Sequence, residues 1–111
     1  AETLDWGLKT DCCGASLPFA RPDMVDRMSY RLLLQAKEAG ADCVAVACPM
    51  CHANLDTRQG EMKARYGQTW QMPVLYFTQL VGIALGLTSA QLMLNRHFID
   101  PIPMLKGKGL A

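Results

Sequence analysis

Net charge is nearly absent from this sequence, and so is any block of basic residues. Eleven Lys and Arg stand against ten Asp and Glu, a formal charge of +1. No strong electrostatic pull on nucleic acid or on an anionic membrane is expected from that balance. Long apolar runs are also missing. The longest, Val44 to Ala47 with its flanks, falls far short of the roughly 20 residues that a membrane-spanning helix needs. There are no internal repeats and no low-complexity segment. Histidine is scarce, with only His52 and His97.

What is present points to one domain over residues 1–111. Half of the 111 residues are apolar, enough for one hydrophobic core and too few for two ordinary domains. Seven methionines read as core filling. Five cysteines are the informative excess: Cys12, Cys13, Cys43, Cys48 and Cys51. The count is odd, with an adjacent pair and a C-x-x-C. That is a poor disulfide framework. A reducing, cytoplasmic compartment and a metal or redox role fit it better.

The hydrophobic pattern alternates between two periods. Met24, Met28, Leu32 and Ala36, with Val25 and Leu33 beside them, form the stripe of an amphipathic helix over 24–39. Pro22 and a capping Asp23 would start it, and Gly40 would stop it. The run 42–47 reads as a strand buried on both sides. Pro49 suits the first turn of a helix reaching about residue 65. Pro73–Phe77 reads as a second buried strand, followed by a helix Gln79–Leu85 capped by Thr78 and closed by Gly86. Thr88 and Gln91 resemble a capping box ahead of a short helix to Asn95. The tail from Asp100 onward reads as irregular, and a short strand is expected ahead of the turn at Gly14. Such alternation predicts an α/β fold: an open, mostly parallel sheet with flanking helices, a Rossmann-like three-layer half.

In open α/β sheets, ligands sit at the carboxyl ends of strands. Cys48 and Cys51 fall at a predicted strand-to-helix junction, where a helix N-terminus favours thiolate over thiol. Cys12 and Cys13 fall at another strand end, and Gly14 allows the chain to turn there. If the two strands are neighbours, four sulfurs meet. Four thiolates suit zinc or an iron–sulfur centre. Adjacent cysteines are awkward on one tetrahedral ion and suit a cluster of several irons. Cys43, inside a predicted strand, reads as core, and His97 as structural. His52 is a candidate proton donor to a leaving thiolate. Cys48–His52 also spells the C-x-x-C-H of haem c attachment, and the C-x-x-C alone could be a thioredoxin-like dithiol. Both readings leave Cys12 and Cys13 without a role.

Asp11-Cys12-Cys13-Gly14-Ala15-Ser16-Leu17, then Ala39-Gly40-Ala41-Asp42, then Cys48-Pro49-Met50-Cys51-His52-Ala53-Asn54-Leu55-Asp56 with Gln59, and finally Asn95-Arg96-His97-Phe98-Ile99-Asp100 resemble the cysteine-rich (CCG) domain of heterodisulfide reductase B subunits. The resemblance covers nearly the whole chain. It implies a noncubane [4Fe-4S] cluster on Cys12, Cys13, Cys48 and Cys51, used to cleave a disulfide substrate by one-electron steps. It implies partners too: a flavin subunit and a small ferredoxin-like subunit. The family pattern has one further cysteine well upstream of the C-C pair, and a first, related domain. With eleven residues ahead of Cys12, the chain is expected to be a carboxyl-terminal fragment. For a fragment lacking that ligand, zinc or an empty site is the alternative, and the fragment alone is expected to be inactive. A structural zinc module that docks partner subunits is the competing reading of the whole.

Overall fold

The computed structural model of the chain describes residues 2–8, 12–15, 21–67 and 71–110. Helix α1 spans Pro22–Glu38 and buries Val25, Leu32, Leu33 and Ala36 of the predicted stripe, while Met24 is exposed and Met28 half-buried. Pro22 sits in its first turn, where a missing N–H costs nothing. Asp23 does not cap it. The residue pairs instead with Arg21 at 3.5 Å, and the helix start has no side-chain cap. Ala39 ends α1, and Gly40 takes the left-handed turn at φ +81°.

Strands β1 (Val44–Val46) and β2 (Val74–Tyr76) pair in parallel, with Val44 opposite Val74 and Val46 opposite Tyr76. Parallel neighbours need a crossover, supplied here by α2 (Pro49–Thr57) and α3 (Gln59–Tyr66). The expected single helix is therefore two, and they meet at Arg58. Backbone bonds from Arg58 N–H to Asn54 O and from Met62 N–H to Arg58 O carry across the junction.

The mixed helix-and-strand reading holds, but among the described residues the sheet has only two strands. They do not by themselves build a three-layer half. The strand expected before Gly14 is not formed by residues 2–8, and residues 9–11 lie outside the described residues. Successive residues of β2 face opposite ways. Val74 joins Cys13, Leu32, Leu33, Leu55, Met62 and Met72 in one core, and Leu75 joins Leu94 and Leu105 in a second. The strand β1 differs from expectation. Val44 and Val46 pack on the first core while Ala45 is exposed, because the elements on the far face gather over Leu75. Cys43 is half-buried against that second core.

Helix α4 (Phe77–Ala84) follows β2 without a loop. It begins two residues before the expected Gln79, since the cap is not Thr78: the Gln79 side chain reaches back to the Tyr76 N–H. Gly86, at φ +87°, closes α4 with bonds from Gly86 N–H to Ile83 O and Leu87 N–H to Gly82 O. The Thr88–Gln91 box forms, at 2.9 and 3.2 Å. It opens a turn instead of a helix, since Met93 at φ +56° breaks the path before a 3₁₀ turn, Leu94–Arg96. The tail is not irregular. Pro101 is the N-cap of α5 (Ile102–Gly107) and Pro103 lies in its first turn, where prolines are tolerated, and Leu105 is buried in the second core. No described helix is long and apolar enough to cross a membrane.

Candidate metal centre

Gly14 shapes the Cys12–Cys13 turn. Its φ is +85°, a region that disfavours side chains, and a Cβ there would lie 3.1 Å from Met28 Sδ and 3.4 Å from Val25 Cα. The turn thus lies close against α1. A buried polar cluster holds it there. The Cys13 carbonyl accepts from Asn54 Nδ2 at 3.0 Å and from the Ser29 hydroxyl at 3.2 Å. Asn54 Nδ2 also donates to Ser29 Oγ at 2.9 Å, and Asn54 Oδ1 accepts from Arg58 Nε at 2.6 Å. Arg58 in turn pairs with Asp26 at 3.3 Å, and Arg65 holds the other oxygen of Asp26 at 3.3 Å. Each polar group in this interior has a partner, as burial requires.

The turn brings Cys13 Sγ to 3.2 Å from Cys51 Sγ. That is a hydrogen-bond contact, far beyond the S–S bond length of about 2.05 Å. Both thiols are free, as are Cys12, Cys43 and Cys48. Cys48, at the N-cap of α2, interacts with Cys51 as well. The backbone N–H groups of Cys51 and Met50 draw the exposed Cys48 thiol below its ordinary pKa. Burial pushes Cys51 up to about 12, and the neighbouring Cys13 and Cys48 add to the rise. Cys12 Sγ accepts from the Gly14 N–H at 3.3 Å and lines a recess of about 80 Å³ with Leu8, Met28, Arg31 and Leu32. Cys43 packs elsewhere, and burial raises its pKa first of all.

Cys51 therefore links the predicted set, touching Cys13 on one side and Cys48 on the other, with Cys12 beside Cys13 in the chain. Among the described residues no three of these sulfurs lie within 4.8 Å of one another. A Zn–S bond of about 2.3 Å places the sulfurs of one tetrahedral ion about 3.8 Å apart. The sulfurs are too spread for that as they stand. A group with several metal atoms spans more. The donor chemistry fits such a group: four thiols, one of them already biased toward thiolate.

A second constellation lies on the other side of α2. His52 Nε2 is 3.2 Å from His97 Nδ1, and the His52 ring stacks on Tyr76 with centroids 4.4 Å apart. Asp56 is buried and accepts from the Phe98 N–H at 2.8 Å and from the Ile99 N–H at 3.0 Å. Ligand atoms of His52, Asp56 and His97 fall within 4.8 Å of one another. Burial lowers the His97 pKa, and the neighbouring His52 adds to this. Asp56, the Val74 carbonyl and Asp100 act against it. Sequence reasoning sets His97 aside as structural and leaves Gln79 unremarked. The two histidines are 45 positions apart, and no local pattern joins them.

Residues 3–56 match the family described as cysteine-rich domain, CCG. Over 95% of its length the chain is 32% identical to the B subunit of the ferredoxin:CoB-CoM heterodisulfide reductase of Methanosarcina mazei. It is 31% identical to the ferredoxin/F420H2-dependent counterpart of Methanosarcina acetivorans, again over 95%. Over 90% it is 30% identical to the 8-methylmenaquinol:fumarate reductase membrane anchor subunit of Wolinella succinogenes. The chain spans about a third of the length of these curated relatives, between 35% and 36% of each.

Proposed function

We propose, for a chain that carries a cysteine-rich CCG domain and is similar along nearly all its length to heterodisulfide reductase B subunits, an electron-transfer role in the reduction of a disulfide. Cys12, Cys13, Cys48 and Cys51 would hold a noncubane [4Fe-4S] cluster. The observation that carries this reading is the 3.2 Å approach of Cys13 to Cys51, two sulfurs 38 positions apart held together without a disulfide. The adjacent pair Cys12 and Cys13, awkward on one tetrahedral ion, supports a multi-iron group over a single zinc ion. When bound, the cluster supplies electrons one at a time. Two electrons and two protons convert one disulfide into two thiols.

The chain's own residues then have separable tasks. Asn54 and Ser29 hold the Cys13 carbonyl and so place the adjacent pair. The N-terminal N–H groups of α2 favour the thiolate at Cys48. His52, next to Cys51, serves as donor to the leaving thiolate. Partners with a flavin and a ferredoxin-like electron supply, in a cytoplasmic setting, belong to the same proposal.

Anaerobic reconstitution with iron and sulfide tests this reading, followed by metal analysis and electron paramagnetic resonance of the oxidised, thiol-treated protein. About four irons per chain with a paramagnetic signal are expected. One zinc and no iron after anaerobic preparation would overturn it in favour of a structural zinc module.

A further inference from the structure

Gln79 is bonded on every side. Its Oε1 accepts from the Tyr76 N–H at 3.0 Å. Its Nε2 lies 2.9 Å from the Leu92 carbonyl and 3.0 Å from His97 Nε2. Turning the amide over would set NH2 against N–H and oxygen against oxygen, so the network fixes its orientation. Both amide hydrogens then point outward as donors, and one is directed at His97 Nε2. That nitrogen accepts from the amide, and the Val74 carbonyl is a further acceptor facing the ring. In the neutral ring the proton therefore sits on Nδ1, where it is donated to His52 Nε2 at 3.2 Å. His52 Nε2 becomes an acceptor in turn, and the proton of neutral His52 sits on Nδ1. Among the described residues that N–H has no partner, although the ring is half-buried and one position from Cys51.

The same chain of bonds weighs against a cation held by His52, Asp56 and His97. Binding through His97 Nδ1 would move its proton to Nε2, against the Gln79 NH2. Both oxygens of Asp56 are already taken by backbone N–H groups.

We propose that Gln79 and His97 are positioning residues that lock His52 in one tautomer, so that its Nδ1–H is a fixed hydrogen-bond donor for a sulfur at the cysteine centre. His52 gives a hydrogen bond there. This rests on the proposed disulfide chemistry only for the identity of the acceptor. The tautomer itself belongs to the chain alone.

The test is long-range 1H–15N correlation on the histidine-labelled chain, reduced and metal-free, at neutral pH. The expected result is the Nδ1–H pattern at both histidines. Gln79→Glu keeps the acceptor for the Tyr76 N–H and replaces the donor facing His97 by a second acceptor. In that variant His97 should shift to a protonated Nε2, and His52 should lose its pure Nδ1–H pattern. An Nε2–H tautomer at either ring of the unaltered protein would overturn the assignment without recourse to any variant. So would unchanged patterns in a folded Gln79→Glu protein. Because no cluster is needed for this measurement, a failed reconstitution leaves it intact, and a wrong tautomer leaves the cluster reading intact.

Discussion

Replacing Asn54 by Ala should loosen the cysteine turn before it unfolds anything else. Asn54 is only 7% exposed and makes three side-chain bonds within the interior. Two are neutral, to Cys13 O at 3.0 Å and Ser29 Oγ at 2.9 Å, and one comes from the Arg58 guanidinium at 2.6 Å. Neutral bonds contribute about 1 kcal/mol each and a charged one about 1.5–3 kcal/mol. Not all of that is lost. The Cys13 carbonyl keeps the Ser29 hydroxyl, and Arg58 keeps Asp26 and Glu61. The net cost should be about 2–4 kcal/mol. In urea, with a slope of about 2 kcal/mol/M, the midpoint should fall by roughly 1–2 M at unchanged slope. The measurement is equilibrium unfolding of the reduced, metal-free chain. Mass mapping of alkylated cysteines accompanies it. Cys13, at 3% exposure, should pass from protected to reactive well below the unfolding midpoint. A loss under about 0.5 kcal/mol together with an unchanged Cys13 alkylation rate would refute the claim that Asn54 places the turn.

Gly14→Ala should cost about 1–2 kcal/mol from the left-handed backbone alone, with more from the 3.4 Å approach to the Val25 backbone; the same unfolding curves measure it, and a neutral effect would mean the turn adjusts freely. In the reduced chain near pH 8, iodoacetamide should label Cys48 ahead of Cys51, since the α2 amides draw the first pKa down while burial pushes the second to about 12. Peptide mapping against time decides it, and faster labelling of Cys51 would contradict the site's electrostatics. His97 has a folded pKa below its unfolded value of 6.5, so the unfolded chain binds the extra proton first. The stability it contributes is full above pH 6.5 and is lost as the pH falls from there toward the folded pKa. Urea midpoints of the native chain and of His97→Asn should therefore draw closer on acidification, and parallel pH curves would exclude the linkage.

The parts of the fold legible in the sequence are those that rest on apolar burial. The stripe of α1 and the two strands are readable because Leu32, Leu33, Val74 and Leu75 follow the periods of their elements. The cysteine spacing likewise places Cys48 and Cys51 correctly at a strand-to-helix junction. Terminations are harder. Thr78 has the chemistry of a cap, but Gln79 reaches back to Tyr76 and starts α4 two residues early. Two prolines hide α5 in the tail, though both fall where a helix tolerates them. Met93 at φ +56° leaves no trace in the pattern, and it makes a turn of a plausible capping box. The exposed Ala45 shows the same limit. Whether a short apolar strand is covered on one face or two depends on elements distant in sequence.

The helix that matters most is the one with the least apolar signal. From α2 and the residue that opens α3, polar side chains reach out in three directions. Asn54 reaches the Cys13 carbonyl, Asp56 the backbone of Phe98 and Ile99, and Gln59 the backbone of Met72, from which it accepts at 2.9 Å and to which it donates at 2.7 Å. Between them Leu55 fills the first core. A helix tied to its surroundings on several faces by polar groups carries no apolar stripe, so periodicity is blind to its role. Yet each tether joins this stretch to a segment bearing a candidate site residue or leading into the strand beneath it. Asn54 secures the cysteine turn, Asp56 the segment of His97, and Gln59 the approach to β2. The run from Asn54 to Gln59 is therefore the frame that holds both the sulfurs and the histidine pair around one helix. Losing any one tether should displace one segment and leave the other two in register.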